Sequence, residues 1–145
     1  MISLRKISGT ERSRELLVKW RNADMEFFGD GKTLLTPEGH YHWYRHVYLN
    51  DPRDHMYFVM HGNRPVGTIA AILKDGTEIS RVLLGEKELA HTGVMSEILK
   101  LITDIYPAPY WLRVKPHNFR AIGLYLKNGF DFDRDFADPL VMRRS

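Results

Sequence analysis

Two side chains in the stretch Pro116–Phe130, PHNFRAIGLYLKNGF, are spaced for chemistry: the amide of Asn118 and the phenol of Tyr125. Just before them, Trp111, Leu112 and Val114 lie in a run rich in aromatic and β-branched residues, the composition of a strand. Pro116 ends that strand by removing a ladder donor. Asn118 is suited to cap a helix, and Ala121, Ile122, Leu124, Tyr125 and Leu126 then recur at helical spacing. Gly129 supplies a C-terminal cap, and Phe130 restarts apolar chain. Strand, helix, strand is the arrangement. An amide at a strand exit and a phenol about two turns along the helix can point into one cleft, where a Tyr hydroxyl is a proton donor. An ordinary amphipathic helix with a buried Tyr accounts for the apolar positions alone.

A second stretch holds three histidines. Thr36-Pro37-Glu38 starts a helix: a cap, proline at the first helical position, then an acid in the first turn. His40, Trp43, Tyr44 and Val47 share one face by i, i+3, i+4, i+7 spacing. His42 and His46 form an i, i+4 pair, but no Glu or third ligand completes a site and the H-E-x-x-H arrangement is absent. No metal is expected. An aromatic, His-containing face suits substrate recognition, and a core face with solvated histidines fits the same spacing. Upstream, Thr10-Glu11 opens a helix through Leu16, Leu17 and Trp20, closed by Trp20-Arg21-Asn22.

The elements that must position these residues follow from patterning. Ile2, Leu4 and Ile7 begin a short strand. Residues 23–36, with Gly29 and Gly31, read as a loop of the length that is usually functional. Met56, Phe58 and Met60 alternate with Tyr57 and Val59 as a strand. Gly62-Asn63 is a hairpin signal, and PVGTIAAIL (65–73) and TEISRVLL (77–84) follow, turned by Lys74-Asp75-Gly76. An antiparallel three-stranded meander is expected. Leu89, Val94, Ile98, Leu101 and Ile105 mark a helix. Asp131–Asp138 is acidic and turn-like, and Leu140-Val141-Met142 forms a last strand. Strands with helices on both faces make a mixed α/β sandwich.

Composition sets limits. At 145 residues, one domain spanning 1–145 is expected. Hydrophobic residues are 43% and charged residues 27%, ordinary for a soluble globule. The chain has no cysteine, which excludes disulfides, thiolate metal sites and a cysteine nucleophile. The opening MISLRKISGTERSR has no apolar core of signal-peptide length. No apolar run approaches the ~20 residues of a membrane helix. A cytoplasmic protein is expected. A net charge of +3 permits an anionic ligand such as a nucleotide and does not itself argue for nucleic acid.

Asn118, Arg120, Ala121, Leu124, Tyr125, Lys127, Gly129 and Phe130 match the N-x-R-A-x-x-L-Y-x-K-x-G-F segment of the GCN5-related N-acetyltransferases, and the chain resembles that family. The resemblance implies a mixed, mostly antiparallel sheet of about six to seven strands flanked by about four helices, with a splayed central strand pair. It implies acetyl coenzyme A as cofactor and a primary amine as acceptor. Tyr125 would protonate the departing thiolate. A backbone amide at a strand bulge would stabilise the oxyanion. Glu78, acting through water, would be the base, with His40 as the other candidate.

By the same resemblance, Asn118 would hold the pantetheine arm or a water, and backbone groups around Val82, Leu83 and Leu84 would pair with that arm like an added strand. Arg120, Ala121, Tyr125 and Lys127 would also bind the cofactor. The pyrophosphate would rest on amides at a helix N-terminus, in the stretch Ala90, His91, Thr92, Gly93, Val94, Met95 and Ser96. Gly93 matches the family's first glycine there. Ala90 stands where Gln or Arg is usual, and Met95 where a second small residue is usual; His91 and Thr92 are available as side-chain donors. Trp20-Arg21-Asn22 and His40-x-x-Trp43-Tyr44 resemble elements that border the acceptor pocket in members acting on small amines, including amino sugars. The expected substrate is a small-molecule amine, with an amino sugar attached to a nucleotide as the finer expectation. A protein amine, a modified nucleic-acid base, or a non-catalytic module on the same fold are the alternatives. Monomer and homodimer stay open.

Overall fold

The computed structural model describes residues 1–133 and 137–145. Its strands are β1 (Ile2–Lys6), β2 (Asp54–His61), β3 (Arg64–Leu73), β4 (Thr77–Leu84), β5 (Tyr110–Val114), β6 (Asp131–Phe132) and β7 (Leu140–Arg144). Its α-helices are α1 (Glu11–Ala23), α2 (Pro37–Trp43), α3 (Val94–Ile105) and α4 (Phe119–Lys127). The strands form one seven-stranded sheet in the order β1-β2-β3-β4-β5-β7-β6. β1 to β4 are antiparallel neighbours, as expected for the meander.

The centre of the sheet departs from regularity. β4 and β5 run parallel, but only Thr77↔Tyr110, Glu78↔Trp111 and Ile79↔Leu112 are in register. Beyond Ile79 the two strands part. On its other edge β4 pairs Ser80 with Ala70 and then Leu83 with Thr68. Two residues, Arg81 and Val82, therefore oppose the single Ile69, which is a β-bulge. Gly67 permits the close approach that follows, since a Cβ there would lie 2.3 Å from the Leu83 carbonyl oxygen.

Two apolar clusters sandwich the sheet. On one face Val59, Val66, Ile69 and Ile79 pack with Ile98, Leu99 and Ile102 of α3 and with Tyr125 of α4. Full burial of each aliphatic side chain contributes about 1.5–3 kcal/mol. On the other face Ile7, Leu17, Trp20, Tyr48, Phe58 and Met60 form the core under α1 and α2.

Local rules account for most boundaries. Thr10 caps α1 by accepting from the Ser13 amide at 3.3 Å, and Thr36 caps α2 by accepting from Gly39 at 3.0 Å. Three expectations are corrected. The helix begun at Pro37 is α-helical only to Trp43; Tyr44–Tyr48 wind as a π-helix. The wider turn rotates the inward face, so Tyr48 is buried and Val47 is 53% exposed. Leu89 belongs to a separate 3-10 turn, and Ile105, as the last residue of α3, is 58% exposed because the apolar face ends before the helix does. Asp131–Phe132, expected as turn, pair with Arg143 and Met142 because β7 leaves an open edge there. The rest of the acidic segment includes residues 134–136, which lie outside the described residues.

Candidate active site

Where β4 and β5 part, two adjoining cavities open. The smaller has a volume of about 630 Å³ and the larger about 920 Å³. Phe27, Phe28, Val82, Leu83, Asn118 and Tyr125 line both. The two side chains singled out by spacing thus stand at the junction. Asn118 Oδ1 accepts from the Ala121 amide at 3.3 Å, starting α4 at the exit of β5. Tyr125 packs edge-on to Phe130 at 5.9 Å. Burial pushes the Tyr125 phenol well above its ordinary value, so it keeps its proton.

The larger cavity is lined by Val82, Leu83, Leu84, Ala90, His91, Gly93, Val94, Met95, Ser96, Asn118, Arg120, Ala121, Tyr125 and Lys127, all expected from sequence. Thr92 does not line it; its hydroxyl donates to the Leu89 carbonyl. Gly93 has φ +86° and caps α3 without a side-chain bond, and a Cβ there would meet nothing within 4 Å. The first amides of α3 therefore face open space beside an unobstructed glycine. Lys87, His91, His117, Arg120 and Lys127 bring basic side chains to the same cavity. Asn128 ties the two flanking helices by donating to Ser96 Oγ at 3.0 Å. Between Ser80 and Leu84, β4 has no strand beside it on the β5 side among the described residues. Amides at a helix start, basic side chains and a free strand edge fit a phosphate-bearing ligand with an extended arm.

The smaller cavity holds the candidates for proton transfer. Glu78 lines it and is 3% exposed. It is neither a solvated strand-end charge nor a free base: Arg113 Nε and Nη2 donate to its Oε2 at 3.1 and 2.9 Å. His40 is buried, tilted against Trp43 at 5.5 Å, and lines the cavity. Burial, with Arg14 and Arg81 nearby, lowers its pKa below the ordinary 6.5, so it is neutral at pH 7. Arg81, in the bulge, donates to both oxygens of Asp54 at 2.9 and 2.6 Å and lies 4.9 Å from the Trp43 ring.

The acceptor-side expectations separate. Arg21, His40 and Trp43 line the smaller cavity. Trp20, Asn22 and Tyr44 do not. Trp20 is a core residue, edge-on to Phe58 at 6.3 Å and pressed under Gly85. Asn22 exchanges hydrogen bonds with the Leu35 backbone at 2.9 and 2.7 Å and ties the loop over the cavity to α1. Tyr44 stacks on Tyr48 at 5.7 Å, beneath Gly9. Phe27, Phe28, Arg81, Arg113 and Lys115 were not singled out by motif. Phe27 and Phe28 were detectable as an aromatic pair in a Gly-rich loop. The three cations reach the cavity only through strand divergence.

A sheet splayed at its parallel pair, with a helix N-terminus at the open end, defines a fold class made to admit an extended anionic ligand between strands. The acetyltransferase (GNAT) family model matches residues 16–130, and the chain belongs to that family. It is an acetyltransferase. Among solved structures it is similar to a domain from Methanocaldococcus jannaschii DSM 2661, at 25% identity and TM-score 0.79, covering 99% of this chain and 97% of that one. It is similar to an acetyltransferase from Thermus thermophilus, at 20% identity and TM-score 0.77, covering 99% and 95%. It is also similar to the aminoglycoside acetyltransferase AAC(6')-Ib in complex with coenzyme A, at 20% identity and TM-score 0.78, covering 100% and 95%. No curated protein matches the sequence. Among the described residues no helix is long and apolar enough to cross a membrane, and no cluster of three or more metal-ligating side chains occurs.

Proposed function

We propose that this chain transfers an acetyl group from acetyl coenzyme A to the primary amine of a small molecule, with both bound together. The observation that carries the reading is the position of Tyr125 and Asn118, shared by a cavity lined by the α3 N-terminus and basic side chains and a second one lined by a neutral histidine. Family membership and the likeness to proteins solved with coenzyme A support the choice of cofactor.

Acetyl coenzyme A, when bound, supplies a thioester whose acetyl carbon an amine can attack. The α3 amides beside Gly93 hold phosphate, and Val82 and Leu84 offer backbone groups to an extended arm. An ammonium of the lysine type has a pKa of about 10.4 in water, so the acceptor must shed a proton. His40 is the base, because it is neutral at pH 7 and no described residue hydrogen-bonds its ring. Glu78 is the weaker candidate, since Arg113 holds it. Tyr125 retains its proton until the sulfur needs it. The bulge at Arg81 and Val82 turns backbone amides out of the β3–β4 ladder, where they serve a developing oxyanion.

The smaller cavity, about 630 Å³ and walled by aromatic residues, suits a small molecule. AAC(6')-Ib, solved with ribostamycin and coenzyme A, is a fold relative of that kind. The ribosomal-protein acetyltransferase RimL shares the fold too, but no feature of the cavity favours a peptide. Among small amines, an amino sugar attached to a nucleotide is the finer reading, supported by His40 and Trp43 on the wall.

Thermal shift with acetyl coenzyme A and thiol release over an amine panel test the reading. Tyr125→Phe keeps the cofactor-induced shift and lowers thiol release by about two to four decades, the range of general-acid effects. No shift at millimolar cofactor points to a non-catalytic module. Unchanged turnover in Tyr125→Phe removes the phenol from the mechanism.

A further inference from the structure

We infer that the acceptor amine also carries an oxyanion, phosphate or carboxylate, and that Arg21 is the residue that seats it. This rests on the reading of the smaller cavity as the acceptor site.

The charges on that cavity's wall are Arg21, Arg81, Arg113, Lys115 and a single carboxylate, Glu78. Three of the four cations are matched. Arg113 pairs with Glu78 at 2.9 Å, Arg81 with Asp54 at 2.6 Å and Lys115 with Asp138 at 3.7 Å. Arg21 has no ion pair among the described residues. Its Nη1 is buried and lacks any hydrogen-bond partner. The nearest acid in influence is Asp30. However, Asp30 is committed to its own loop: Oδ1 accepts from the Lys32 and Thr33 amides at 2.9 and 2.8 Å, and Oδ2 from the Thr33 hydroxyl. A desolvated guanidinium nitrogen without an acceptor is unfavourable, and a planar fork of donors is matched by an oxyanion.

The surroundings of Arg21 are built rather than loose. The Phe28 ring lies 4.9 Å from its Cζ, and a Cβ on Gly29 would sit 3.2 Å from its Nη2. Asn22, the next residue on α1, clamps Leu35 through both its amide and its carbonyl and so holds the loop that covers the guanidinium. The cofactor's phosphates are not the missing partner, because Arg21 lines only the smaller cavity and the larger one has its own cations. A plain ammonium would enter a wall whose one carboxylate is already neutralised. An oxyanion on the same molecule offsets that repulsion and orients the amine toward Tyr125 and His40.

The test uses the full chain saturated with coenzyme A, so that the phosphate subsite beside Gly93 is filled. Inorganic phosphate, pyrophosphate and acetate are titrated while the side-chain nitrogen resonances of ¹⁵N-arginine-labelled protein are followed. Phosphate and pyrophosphate set against acetate separate the two oxyanion sources. At least one anion should shift the Arg21 resonance, and Arg21→Met should weaken that anion tenfold or more while coenzyme A affinity stays within twofold. Arg21→Lys, which keeps charge but not the fork, should fall between; it decides the matter if Arg21→Met does not fold. Anion binding that is equal in wild type and both variants, or no perturbation of Arg21 by any of the three, overturns the inference. Failure of coenzyme A itself to bind would instead remove the acetyltransfer reading and leave anion binding at Arg21 to be judged by the same titration.

Discussion

Arg81 and Asp54 face each other across β3, joined by two hydrogen bonds of 2.9 and 2.6 Å. Arg81 has φ +49°, in the left-handed region. A side chain of that size is held there at an expense on the order of 1–2 kcal/mol. The Asp54 carboxylate, 7% exposed, and the Thr68 hydroxyl, which donates to the Arg81 carbonyl at 2.8 Å, hold it in place from two sides. The bulge is thus clamped by a strand two positions away. Asp54→Asn leaves the shape and loses the paired charge. Arg81 is partly exposed, so the stability loss should be about 1–3 kcal/mol, below the range for fully buried pairs. Acetylation should fall by more than the loss of folded protein explains, because the amides of Arg81 and Val82 relax. Denaturant midpoints and kcat on the same preparation check it; normal kcat would show that the clamp is structural only.

His40 sets a pH dependence. Its folded pKa lies below 6.5 through burial first, then Arg14 and Arg81. Below pH 6.5 the unfolded chain takes up a proton that the folded chain refuses, so stability declines as pH drops from there toward the folded pKa. Above pH 6.5 this contribution is constant. The acid limb of kcat/KM should likewise fall below pH 6.5, and His40→Gln should abolish that limb while lowering the plateau about 10²–10⁴-fold. A limb that persists in His40→Gln would assign the base elsewhere, with Glu78 next to be tried.

Gly93 is open to substitution in space but not in backbone. A Cβ meets nothing within 4 Å, yet φ is +86°. Gly93→Val should lower stability by about 1–2 kcal/mol and weaken coenzyme A by a larger factor, because the first amides of α3 swing with the strained residue. Calorimetric titration of coenzyme A measures this. Equal affinity in the variant would detach the α3 terminus from the phosphates.

Gly85 presents the opposite case. A Cβ there would lie 2.0 Å from Trp20 Cε2, and Trp20 is wedged against Phe58. Gly85→Ala should destabilise by about 1–3 kcal/mol by overpacking, seen as a lowered denaturant midpoint, and Gly85→Ala combined with Trp20→Phe should recover part of the loss. No recovery would mean that the indole is not what the glycine accommodates.

Much of the site was readable where causes are local. The Asn118 cap, the Gly129 stop and the helical spacing between them place Tyr125 on α4 by rules that span a few residues. The meander was readable for the same reason, its turns carrying Gly62 and Asp75-Gly76 at positive φ. Val47 and Tyr48 exchanged roles because a π-turn alters the period that the spacing argument assumes. Glu78 read as a base acting through water, yet Arg113, 35 residues on, pairs with it and neutralises it. Trp20 read as a pocket residue, yet the indole fills the corner under Gly85.

The amino-acid order by itself therefore determined the strands of the meander and the helix that carries Tyr125, since each depends on backbone preferences and periodicity within one element; resemblance to a family added the splayed sheet and singled out Gly93. That Arg113 holds Glu78, that Arg21 has no ion pair among the described residues and that Trp43 lines the cavity while Trp20 does not were decided only by tertiary structure. Those outcomes turn on which charges and rings meet when β4 and β5 diverge, and contacts between segments tens of residues apart leave no periodic trace in the chain.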